Sequence, residues 1–77
     1  MSQDLSDKIE TLLENYIQDL DGETPNAVYE IVLHAVEKPM LLYIMNYAQG
    51  NQTKAAKILG LNRNTLRKKL EIHNLNF

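Results

Sequence analysis

Cysteine is absent from this chain, so neither a disulfide framework nor a thiolate metal site can staple it. Tryptophan is absent too, and one phenylalanine and four tyrosines are the only aromatics. No apolar run approaches the ~20 residues of a membrane-spanning helix, and the N-terminus carries no secretory hydrophobic region. The sequence has no glycine-rich phosphate loop, no HExxH and no carboxylate pair in an evident cleft. These absences exclude the common catalytic designs, so an enzyme is not expected. No cofactor or metal is expected either, no membrane partner is implied, and a cytoplasmic location is the default.

What is present is unevenly distributed. Residues 1–49 carry nine acids against Lys8 and Lys38, a formal charge of −7. Residues 50–77 carry Lys54, Lys57, Arg63, Arg67, Lys68 and Lys69 against Glu71 alone, a formal charge of +5. The net value of −2 hides this contrast. Such asymmetry is what a nucleic-acid-binding element attached to something else produces. Charge alone fits a merely solvated basic face equally well, so the helical pattern has to decide. At 77 residues there is room for one domain, and chains of this size bury only about 60–65% of their unfolded surface. A monomer would be marginal.

Apolar residues fall at positions 5, 9, 12, 13, 16, 17 and 20. At 100° per residue they occupy an arc of about 140°, which predicts an amphipathic helix from Leu5 to Leu20. Asp21-Gly22 stops it, Glu23–Pro25 form a loop, and Asn26 is placed to cap a second helix. There Val28, Ile31, Val32, Ala35 and Val36 make a second stripe. Beyond Pro39 the run MLLYIMNYA is apolar nearly all round, as in a helix surrounded by protein. A kink rather than a break is expected at Pro39, with the helix ending near Gly50. Tyr16, Tyr29, Tyr43 and Tyr47 sit at helical spacing and read as core. His34, beside Glu30, Glu37 and Lys38, reads as solvated. A single chain has too few elements to cover both apolar surfaces, and a two-fold dimer would supply the cover.

The run GNQTKAAKILGLNRNTLRKKL, Gly50 to Leu70, reads as two short helices around a tight turn. Ala55, Ala56, Ile58 and Leu59 lie on the first, Gly60 suits the positive φ of the turn, and Leu61 plugs the turn. Asn62 caps the last helix, Arg63 to about His73. Its inner face is Leu66, Leu70 and His73, and Asn64, Thr65, Lys68, Glu71 and Ile72 lie opposite. A pair of packed helices with a basic exposed face suits the major groove of double-stranded DNA, read by the N-terminal residues of the second helix. Arg63 stands there and can pair bidentately with guanine. Asn51, Thr53, Lys54 and Lys69 are placed to hold phosphates. Glu71 on the outer side reads as a brake on affinity.

GNQT, the alanine pair, G-L-N-R and T-L-R-K-K-L resemble, in order and without gaps, the C-terminal part of the Fis family, the bacterial factors for inversion stimulation. YIQDLDGE, VYEIVL and VEKPMLLYIMNYAQGNQT extend the resemblance upstream, including the proline within the long helix. The resemblance implies an all-α fold of four helices per subunit. Residues 1–77 would form a single domain, with 5–49 as dimerisation helices and 50–77 as the helix-turn-helix. The first two helices of each subunit would interlock in a homodimer core. It also implies a nucleoid-associated transcriptional regulator that bends DNA, because the family's recognition helices lie closer together than one turn of B-DNA. By position, Asn62, Arg63, Thr65, Arg67 and Lys68 would sit in or beside the groove, and Asn51, Thr53 and Lys69 would hold the backbone. Only Met1–Asp4 precede the first stripe, so no counterpart of the family's β-hairpin arm is expected, and on that ground no contact with a DNA invertase is expected either. Two alternatives stand beside this one. The first is a free-standing relative of the DNA-binding domains of NtrC-type activators, acting locally. The second is an acidic interaction module whose basic tail binds an acidic protein. Salt-titrated duplex binding separates that module from the DNA binders.

Overall fold

The computed structural model describes residues 4–77, which fold into four α-helices with no strand among the described residues. They are α1 (Leu5–Asp19), α2 (Val28–Tyr47), α3 (Gln52–Leu59) and α4 (Arg63–Ile72). The all-α expectation holds. None of these helices is long and apolar enough to cross a membrane. Met1–Gln3, most of the stretch from which no hairpin arm was expected, lie outside the described residues. The chain divides into two compact units, with the boundary inside α2 between Leu33 and His34.

In the first unit, α1 starts at a side-chain cap. Asp4 is extended, and its carboxylate accepts the Asp7 N–H at 2.9 Å. The helix ends where expected, with Asp21 (φ +52°) and Gly22 (φ +92°) turning the chain. The Tyr16 hydroxyl then donates to the Asn26 carbonyl at 2.9 Å and ties the loop to α1. The entry to α2 differs from the expectation. Asn26 does not cap it; Ala27 takes a left-handed conformation at φ +54°, and the helix begins at Val28. The Ile31 N–H closes the first turn onto the Ala27 carbonyl at 3.1 Å. The α1 stripe forms as predicted, yet no α1 residue is buried, and Leu5 and Ile17 stand exposed.

The second unit holds the core. Leu41, Met45 and Ala48 from the α2 end meet Ala55 and Ala56 of α3 and Leu66 and Leu70 of α4, with Ile44, Leu59 and Leu75 packed at the edge. Because α2 supplies Leu41 and Met45, with Ala48 just past its end, the compact unit takes in the later part of α2 from His34 onward. Helix α2 runs unbroken through Pro39. It ends at Tyr47, a few residues before Gly50, where Gln49 and Gly50 both take positive φ and the Gly50 N–H reaches the Met45 carbonyl at 2.9 Å.

The run Met40–Ala48 is not surrounded by its own chain. Its Leu41–Met45–Ala48 face is buried, while Met40 and Leu42 are exposed and Tyr43 and Tyr47 are 71% and 64% accessible. The tyrosine expectation needs correction accordingly. Tyr29, Tyr43 and Tyr47 lie on the surface of the chain, and Tyr16 is half-buried with its hydroxyl engaged. Helical spacing identified a shared face. It could not say whether this chain covers that face.

Candidate nucleic-acid interface

Two asparagine caps and one glycine build the helix pair. Asn51 accepts the Lys54 N–H at 3.1 Å and starts α3; Asn62 accepts the Asn64 N–H at 2.7 Å and starts α4. Between them Gly60 ends α3 at φ +75°, and the Leu61 N–H returns to the Ala56 carbonyl at 2.9 Å. This closure satisfies helix-end carbonyls that would otherwise lack donors. Ala55 and Ala56 are buried, and their small side chains let α4 come close. Ile58, grouped with them by sequence, is exposed.

Helix α4 seats Leu66, Leu70 and His73 inward, as its pattern predicts. Its other faces expose Arg63, Asn64, Thr65, Arg67, Lys68, Glu71 and Ile72. At the far end Asn74 takes φ +56°, and the Leu75 N–H bonds the Leu70 carbonyl at 2.9 Å, so α4 closes as α3 does. Among the described residues Arg63, Arg67 and Lys68 have no acidic partner within ion-pair distance. The first turn of α3 contributes Thr53 and Lys54, both exposed, beside the exposed cap Asn51. The Lys54 ammonium stands 5.9 Å from the centre of the Tyr47 ring, a cation–π distance. Of the nine residues singled out by sequence, eight are thus exposed in this unit: Asn51, Thr53, Lys54, Asn62, Arg63, Thr65, Arg67 and Lys68. The ninth differs.

Lys69 is half-buried, and its Nζ lies 2.7 Å from Oε2 of Glu37. The other oxygen of that carboxylate, Oε1, meets Nε2 of His73 at 2.9 Å. Glu37 is 8% accessible. Burial by itself would raise its pKa, but hydrogen bonds from Lys69 and His73, together with the Lys69 and His73 charges, outweigh that and hold it below the usual carboxylate value of 4.5. The His34 ring packs 4.3 Å from the His73 ring, centre to centre. His34 is exposed as expected, but it has this second role. Sequence reading missed Glu37 by assigning it to the polar face of α2. The signal was available: Glu37, Leu41 and Met45 are spaced i, i+4, i+8, which puts the glutamate at the head of the core stripe.

Comparison with known proteins agrees with this construction. The model of a family described as bacterial regulatory protein, Fis family, matches residues 32–71, a span that takes in all but the first turn of α2, all of α3 and nearly all of α4. A Fis-like protein of Neisseria meningitidis serogroup B is 56% identical over 72 residues, covering 94% of this chain and 91% of that protein. DNA-binding protein Fis of Haemophilus influenzae is 54% identical over 70 residues, covering 91% of this chain and 71% of the relative. Its counterpart in Mannheimia haemolytica is 49% identical over 71 residues, covering 92% and 72%.

Proposed function

The chain belongs to the Fis family of bacterial regulatory proteins, and from that premise we propose that it binds and bends double-stranded DNA as a two-fold homodimer. The observation that carries this reading is the outward face of α4, where Arg63, Arg67 and Lys68 stand exposed and unpaired by acids among the described residues. On it Arg63, in the first turn, reads base edges, with guanine the preferred partner. Asn62, Thr65, Arg67 and Lys68 line or flank the groove. Asn51, Thr53 and Lys54, at the start of α3, hold phosphates and set the register.

Dimerisation is supported by the apolar surface that the chain leaves open on α1 and on the Tyr43–Tyr47 side of α2. Covering it with a second copy gives two α4 helices related by a two-fold axis. As in the family, a spacing shorter than one DNA turn then bends the duplex. In the cell this is a nucleoid-associated regulator of transcription.

Fluorescence anisotropy on labelled duplexes across a salt series tests the reading. The logarithm of the affinity should fall linearly with the logarithm of salt, by about 0.9 for each phosphate neutralised. Failure to bind any duplex at low salt, or binding insensitive to salt, would contradict it.

A further inference from the structure

Arg67, Lys68 and Lys69 are consecutive in α4, and helix geometry turns successive side chains by about 100°. Arg67 and Lys68 are exposed; Lys69 is directed back toward the α2 segment of its own unit. There Glu37 is held on both oxygens, by Lys69 at 2.7 Å and His73 at 2.9 Å. The two donors are four residues apart and so lie on one face of α4 and its C-terminal cap. We infer that Glu37 and Lys69 form a strut fixing the set of the recognition helix, which makes both of them positioning residues and removes Lys69 from the phosphate contacts. This rests on the proposed reading of DNA by α4.

Leu66 and Leu70 anchor α4 by apolar contact, which is non-directional and resists sliding or tilting weakly. A carboxylate with two short hydrogen bonds is directional, because such bonds weaken steeply with angle and length. Drawing Lys69 onto a phosphate would also strip a buried carboxylate of a charged partner, an expensive exchange. Finally, α4 acts as a lever. Arg63 lies six residues from Lys69, about 9 Å along the axis, so a tilt of about 10° at the strut moves Arg63 by about 1.5 Å. Directed recognition tolerates only about 0.5 Å.

The test compares wild type with Lys69→Met, Glu37→Gln and Lys68→Met on two duplexes, one selected from a random pool by the wild-type protein and one of arbitrary sequence. Circular dichroism establishes folding at the assay temperature. Lys68→Met should lower the salt slope by about 1. Lys69→Met should keep the wild-type slope and lose about tenfold in preference for the selected duplex, equivalent to about 1.4 kcal/mol. Glu37→Gln should do the same, and the double variant should be no worse than either single one. A reduced slope for Lys69→Met, or tighter and more salt-sensitive binding by Glu37→Gln, would overturn the strut. Should either variant unfold, NMR of the lysine ammonium groups in wild type decides. The Lys69 signal should stay put on adding DNA while that of Lys68 moves; movement of Lys69 overturns the strut. A wild-type protein that binds neither duplex contradicts the DNA-binding reading itself. Binding without the predicted variant pattern contradicts the strut alone.

Discussion

The two units of the chain treat their apolar residues in opposite ways. From His34 onward, seven hydrophobic side chains close a core drawn from three helices. Ahead of it α1 forms a regular amphipathic helix with no buried residue at all. Both segments follow the 3.6-residue period, so periodicity alone does not make a core. What separates them is partnership: α3 and α4 return onto the end of α2, whereas the α1 stripe is at most half-buried in a single chain, with Leu5 and Ile17 exposed. The charge contrast runs in the same sense, with −7 before residue 50 and +5 after it. On the proposed reading, the first region is completed by a second copy of the chain and the second meets a polyanion.

The strongest challenge to this contrast is in the closed core. Leu66 is fully buried, and Leu66→Ala should cost about 2–5 kcal/mol in urea unfolding. A loss near zero would mean that the second unit is not the self-sufficient one. Next comes recognition. Arg63→Ala should cost about 1–3 kcal/mol of binding to the selected duplex and relax its guanine preference, with thermal stability unchanged because the side chain is exposed. Equal losses on all duplexes would remove Arg63 from base reading.

The buried carboxylate gives a smaller effect with a definite pH signature. Glu37→Gln should cost about 1–2 kcal/mol of stability near neutral pH, as the strut loses its charge-assisted bonds. Because its folded pKa is held below 4.5, the Glu37 contribution is complete above that value and disappears as pH falls through the folded pKa. Wild-type stability should therefore drop more steeply than that of Glu37→Gln below about pH 4.5. Parallel curves would contradict the pairing. Smallest is Glu71, exposed on the outer side of α4 with no cation in ion-pair range among the described residues. Glu71→Lys should tighten binding to most duplexes and steepen the salt slope by up to about 1. An unchanged slope would turn Glu71 away from the DNA.

Local rules made most of the second unit legible in advance. Asn51 and Asn62 as caps, Gly60 at the left-handed turn, and Leu66, Leu70 and His73 on the inner face each follow from neighbours a few residues away. What could not be read depended on distant groups. The Asn26 carbonyl is engaged by Tyr16, ten residues earlier, and Ala27 instead accepts the first helical N–H, from Ile31. Lys69 turned inward because Glu37, thirty-two residues away in sequence, offers a buried carboxylate. The exposure of Tyr29, Tyr43 and Tyr47 has the same origin, since periodicity marks a face and is silent about what covers it.

On the proposed reading, a second copy of this chain covers the apolar residues left exposed on α1 and those left exposed on α2. Thermal unfolding followed over about a hundredfold range of protein concentration, with mass measured by sedimentation at each end, tests it most directly. Mass action on a dimer that unfolds to monomers changes stability by about 2.7 kcal/mol over that range. A dimer mass and a melting temperature that rises with concentration are expected. A monomer mass with a melting temperature independent of dilution would contradict it.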